Sequence, residues 1–263
     1  MTALLVVCLA SLGAAGLTLY SGFGLGTLLL PVFALFFPVE VAVAATALVH
    51  GANNAFKIAL VGRHADRDLV LRFGVPAIAA AFVGAAALGW VAHFGELARY
   101  SLGGREAVIT PLKLAMAGLM AAFAVLELSP RLRGLRFSRR WLVLGGLLSG
   151  FFGGFSGHQG ALRSAFLVKV GISTQAFVGT NAVIGFLVDL ARIATYGALL
   201  AGPGGALLAG AGQWPLVLAG TLSAFAGVLL AKRYLHKVTM AAVQTLTGVL
   251  LLAIALALGS GLV

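Results

Sequence analysis

Gly153-Gly154-Phe155-Ser156-Gly157-His158-Gln159-Gly160-Ala161-Leu162-Arg163 breaks an otherwise apolar run, parting the stretch 141–155 from a short one at 161–171. At 1.5 Å rise per residue the short stretch reaches about 16 Å, roughly half of a hydrocarbon core about 30 Å thick. A second break, Ser21-Gly22-Phe23-Gly24-Leu25-Gly26, precedes the equally short stretch 27–37. Both short stretches are expected to be half-helices or re-entrant hairpins, because non-helical backbone at membrane depth survives only where protein or a water-filled cavity covers it.

Around these breaks the apolar stretches are 2–20, 39–61, 73–93, 108–127, 174–200, 214–231 and 239–260. Of 263 residues 61% are apolar, 10% are charged and 36 are Gly, and the mean hydropathy is +1.07. Soluble chains carry about 25% charged residues and about 7% Gly, so a soluble domain is excluded. The fold class is therefore an all-α polytopic membrane protein, and about ten segments leave no room for a large soluble domain. Residues 2–20 have no preceding Lys or Arg and no A-x-A site after them, so they are expected to be a retained helix. The lone Cys8 permits no intramolecular disulfide and no Cys-based metal site; it reads as a small buried hydrophobe.

Shifting the chain by about 134 residues lays Ala45-Thr46 on Gly179-Thr180 and Gly26-Thr27 on Gly160-Ala161. This predicts two repeats, 1–128 and 141–263, joined by a basic linker at 129–140. Five segments per repeat is an odd number, so the second repeat is expected to be inverted in the bilayer. The charges agree. Loop 62–72 carries Arg63, Arg67 and Arg72, the linker carries five Arg, and loop 232–237 carries Lys232, Arg233 and Lys237. By contrast 201–213 has no charge, and 94–107 sets Arg99 and Arg105 against Glu96 and Glu106. The positive-inside rule puts the three basic loops in the cytoplasm, which accounts for the net charge of +11 without nucleic acid. Trp90, Trp141 and Trp214 fall at expected span ends, where an aromatic belt would place them.

Two segments carry polar residues where a bilayer disfavours them. The first holds Thr46, His50, Asn53, Asn54 and Lys57, mostly on one helical face; its counterpart holds Thr180, Asn181, Asp189, Arg192 and Tyr196. Such stripes face a bundle interior or a cavity, so a solute path is expected there, with interhelical hydrogen bonding as the plainer reading. Lys57 is read as snorkelling to the cytoplasmic surface. Asp189 and Arg192 are three apart; either they neutralise each other as a structural pair or they take part in transport. At the second break, free backbone N–H groups at a helix start, Ser156, His158, Gln159 and the fixed cation Arg163 together make a place that attracts an anion. His158 is in addition a candidate carrier of a coupling proton. No G-x-S-x-G or H-E-x-x-H is present, so neither an enzyme nor a cofactor is expected.

With Gly22-Phe23-Gly24-Leu25-Gly26-Thr27-Leu28-Leu29-Leu30-Pro31 in the first repeat and Gly150-Phe151-Phe152-Gly153-Gly154-Phe155-Ser156-Gly157 in the second, the chain resembles the TauE/SafE sulfite-exporter family of bacterial inner-membrane permeases. The resemblance runs over essentially the whole chain. The second repeat departs from the family's Gly run, having Gly157-His158-Gln159-Gly160-Ala161-Leu162-Arg163-Ser164 and no Pro. It implies a transporter for sulfite or a related organosulfur anion in the bacterial inner membrane. The expected binding residues are Ser156, His158, Gln159 and Arg163 from one repeat and His50, Asn53 and Asn54 from the other. Thr46, Thr180 and Asn181 are expected to bind the anion as well, the two Thr as donors at the turns, with His158, Asp189 and Arg192 as coupling or ion-pair groups. An anion channel and a membrane scaffold without transport activity are the rival readings.

Overall fold

The structure is a computed structural model that describes residues 1–19, 25–102, 104–133, 135, 137–167, 170–200, 214–234 and 240–262. The turn at Ser21–Gly24, the uncharged loop 201–213 and Lys237, all used in the sequence reading, lie outside the described residues. Before the basic linker come α1 (Thr2–Thr18), α2 (Leu25–Ala34), α3 (Val39–Val61), α4 (Arg67–Ala92) and α5 (Pro111–Leu128). After it come α6 (Leu142–Ser156), α7 (Gly160–Leu167), α8 (Thr174–Leu200), α9 (Trp214–Tyr234) and α10 (Met240–Gly259). The chain is thus an all-α polytopic membrane protein, with α4, α5, α8 and α9 each long and apolar enough to span a bilayer. The short stretches are short helices: ten residues in α2 and eight in α7, about 15 and 12 Å of rise.

Local chemistry sets the ends of these helices. Thr110 accepts a hydrogen bond from the Lys113 N–H at 3.2 Å with Pro111 following it, a side-chain cap with Pro in the first turn. Asp66 accepts from the Leu69 N–H at 3.1 Å and starts α4. Within α4, Val70–Gly74 forms a π-helical turn just before Pro76, which lacks an N–H to donate backwards. Gly157 closes α6 with φ of +79°, a left-handed conformation that glycine takes without steric cost.

One element was not expected. The region 94–107, read as a loop of balanced charge, holds most of an antiparallel hairpin, Ala98–Leu102 paired with Arg105–Ile109. It lies against the end of α10, where the Val108 N–H donates to Gly261 O at 3.0 Å and the Tyr100 hydroxyl to Ser260 O. Arg99 bonds Glu96 at 2.5 Å and holds its carboxyl below the ordinary carboxylate value. Both side chains are exposed, so the pair adds little stability.

Large apolar side chains face outward, and a polar cluster lies buried inside a largely apolar core. Phe82, Val83, Leu222 and Leu256 are exposed, whereas Asp189 and Arg192 are wholly buried. Trp90, Trp141 and Trp214 are exposed at helix ends. The most extensive helix contacts join α4 with α6, α1 with α9, α5 with α10, and α3 with α8. The α4–α6 contact is made by backbone. A Cβ added to Gly146, Gly150 or Gly154 would lie 2.3, 2.0 or 2.1 Å from the carbonyl oxygens of Phe73, Ala77 and Ala81 respectively. Small residues allow this approach, which drives helix association in lipid by dispersion rather than by exclusion of water.

Candidate functional site

Helices α3 and α8 cross at the centre, close because Gly51 carries no side chain: a Cβ there would come within 3.3 Å of the Asp189 Cβ. Asp189 is the hub. Its Oδ2 pairs with His50 Nδ1 at 2.6 Å and accepts from Asn54 Nδ2 at 3.1 Å. Its Oδ1 accepts from Gln159 Nε2 and Arg192 Nε, each at 3.0 Å, and lies 2.8 Å from Arg192 Nη2. One carboxylate therefore binds two helices and the turn before α7, with its acceptor capacity used. Gly157 leaves room for Arg192, whose Nη1 would stand 3.0 Å from an added Cβ. The Tyr196 hydroxyl donates to Gly154 O, fixing the next turn of α8 to the end of α6.

Arg163, 2% exposed on α7, sits one step from the hub. Its Nη1 donates to Gln159 Oε1 at 2.8 Å and its Nε to Asn181 Oδ1 at 2.6 Å, while Asn181 itself donates to Phe177 O. Gln159 is the link, accepting from Arg163 and donating to Asp189. Among the described residues no carboxylate lies within ion-pair distance of Arg163, because Asp189 is taken by Arg192 and His50. His50, Asn54, Lys57, Arg163 and Asn181 together line a cavity of about 10 Å³, the size of a single water site.

Other expected site residues are placed elsewhere. His158 bonds Ser156 Oγ at 3.0 Å and stacks on Phe123 of α5, ring centroids 5.0 Å apart. No hydrogen bond joins it to Arg163 among the described residues, and its Nε2 is buried without a partner there. Ser156 donates to Phe152 O. Thr180 accepts from the Asp66 N–H at 2.8 Å and so supports the turn before α4 rather than the polar centre. Thr46 and Asn53 are buried with no partner for their side-chain polar atoms among the described residues. Thr46 lies near the meeting of the two breaks: a Cβ on Gly26 would touch Thr46 Cγ2 and Gly157 O, both at 3.4 Å.

Residues 7–258 match the family model described as Sulfite exporter TauE/SafE. The chain belongs to the TauE/SafE family. No curated protein matches it. TauE/SafE proteins are sulfite exporters, so the chain is an integral-membrane permease for an anion and not an enzyme. In this TauE/SafE member the polar centre holds two residues whose place the sequence did not indicate. Lys57 is 7% exposed and lines the central cavity instead of reaching the aqueous surface. Gly185 makes room for Asn54 and Arg163, since a Cβ there would lie 2.7 Å from Asn54 Nδ2 and 3.1 Å from Arg163 Nη1. The signal available for Lys57 was its place on the α3 stripe; for Gly185 there was none beyond its spacing from Asn181.

Proposed function

We propose that the protein is a secondary transporter of the bacterial inner membrane that carries sulfite or an organosulfonate-type anion, with Arg163 as the principal cation of the site. The observation that carries this reading is a buried guanidinium with no carboxylate in range among the described residues, beside a hub whose own charges are already paired. A cation so placed is costly in a bilayer unless an anion completes it. Arg presents a planar fork able to hold two oxygens at once. In purified protein, sulfite at one hundred times its Kd should stabilise the fold by about 2.7 kcal/mol. Arg163→Gln is expected to remove that stabilisation while the ligand-free protein stays folded, and Arg163→Lys to restore part of it. Full sulfite-dependent stabilisation in the Gln variant would reassign Arg163 to a structural role.

We further propose that 1–128 and 141–263 are inverted repeats. Five described helices precede the linker and five follow it. The first helix of each half packs on the fourth of the other, α1 on α9 and α6 on α4. One close approach occurs in both pairs: Gly227 of α9 against Leu12 O of α1 and Gly84 of α4 against Phe151 O of α6, with added Cβ atoms at 2.2 and 2.1 Å. Exchange of the two halves relates these contacts, as a two-fold axis in the membrane plane would. Single Cys residues at Ser138 and Gly204, in a Cys8→Ala background, should therefore react with an impermeant reagent from opposite sides of the membrane. Labelling of both from one side would end the inverted arrangement.

A further inference from the structure

Two cavities meet at Lys57. The small central one reaches Arg163, and a chamber of about 180 Å³ leads from Lys57 past Thr174 and Gln175 to the exposed Lys232; Leu19, Lys57 and Val178 line both. Lys57 has no ion pair or hydrogen bond among the described residues although it is almost fully buried. The charged and titratable groups that line these cavities with it are Arg163 of α7, Lys232 of α9 and His50 of α3, none of them acidic. The acid nearest in this network, Asp189, is held by Arg192 and His50. Two basic side chains, Lys57 and Arg163, thus border one cavity with no counter-charge among the described residues.

We infer that Lys57 and Arg163 jointly receive a doubly charged oxyanion, and that Lys57 is the residue that favours two negative charges over one. This rests on the reading of Arg163 given above. Arg163 supplies directional donors for two oxygens, and Lys57 supplies a compact charge on a flexible stem at the chamber side. A monoanion entering the same cavity leaves one buried cation uncompensated; a dianion leaves none. The central cavity is closed to a single water site in this structure, so the anion enters through the wider chamber, where Lys57 is the innermost cation.

The test is a titration of the purified full chain at pH 8 with sodium sulfite, mostly dianionic there, and with sodium methanesulfonate, a monoanion of similar shape. The wild type should bind sulfite more tightly. Lys57→Gln should weaken sulfite by about tenfold or more and methanesulfonate by less than about threefold, and Lys57→Arg should keep the preference. Without ligand the Lys57→Gln protein should melt at or above the wild-type temperature, because an unmatched buried charge has been removed. Equal weakening of both anions, or of neither, overturns the inference. So does a lowered ligand-free melting temperature in both Lys57 variants, which would make Lys57 a support of the fold. Wild-type sulfite affinity in Arg163→Gln would instead overturn the reading of Arg163, so the two failures are distinguishable.

Discussion

Asp189→Asn is expected to destabilise the protein by about 3–5 kcal/mol, the usual consequence of removing one member of a buried charge pair. Arg192 is wholly buried and has Asp189 as its ion-pair partner, so the change strands a guanidinium inside the bilayer. Asn keeps the shape but turns one acceptor oxygen into a donor. Either orientation fails: Oδ2 faces Asn54 Nδ2 and His50, and Oδ1 faces Gln159 Nε2 and Arg192. The measurement is the thermal midpoint in detergent, with the Asp189→Asn/Arg192→Gln double variant beside it. Removing both charges should recover more than half of the loss, as a coupled pair requires. A double variant no more stable than the single one would show that the stranded charge is not the cause, and an unchanged midpoint in the single variant would discard the hub.

Gly150→Val is expected to be nearly as damaging by a different route. The 2.0 Å between an added Cβ and Ala77 O is about 1.4 Å short of ordinary contact at 3.4 Å, and a carbonyl within a helix cannot rotate aside. The helices must part, and Gly146 and Gly154 on the same stripe lose contact with Phe73 and Ala81 as they do. Overpacking usually destabilises by about 1–3 kcal/mol, and a clash with backbone belongs at the top of that range. Gly150→Ala should show a large part of the effect. Gly118→Ala and Gly197→Ala are the controls: nothing lies within 4 Å of either added Cβ, and each should be neutral or gain up to about 1 kcal/mol of helix propensity. Expression and melting temperatures comparable between Gly150→Ala and Gly118→Ala would refute the backbone contact.

What could be read from the chain divides along physical lines. Polytopic all-α character follows from composition alone, and the shortness of α2 and α7 follows from counting residues between breaks. The face shared by His50, Asn54 and Lys57 follows from 3.6-residue periodicity. Periodicity stops at Gly157, where φ changes sign; it cannot say that Gln159 points to Asp189 while His158, its neighbour, lies against Phe123. The pairing of His50 with Asp189 spans 139 residues and depends on how α3 crosses α8, which no local signal encodes. The proposed correspondence between repeats also has limits. Thr46 and Thr180 align in sequence, yet Thr180 accepts from the Asp66 N–H and Thr46 lies by Gly26 and Gly157. Positions that align by the 134-residue shift meet different neighbours. The hairpin was hidden by its charges, which drew attention from the backbone pairing between Ala98 and Ile109.

The glycines at the α4–α6 and α1–α9 seams change what a comparison between related chains can mean. Every other amino acid has a Cβ, so at Gly84, Gly146, Gly150, Gly154 and Gly227 the twenty-letter alphabet shrinks to one letter, whatever the cargo. Identity at these positions records the spacing of two helices and is silent about the solute. On the site proposed above, the informative letters are those that can change without moving the backbone: Lys57, Gln159, Arg163 and Asn181. Two chains that agree at all five glycines and differ at these four share a scaffold and nothing further, so a label passed from one to the other on overall likeness would pass on architecture in the guise of specificity.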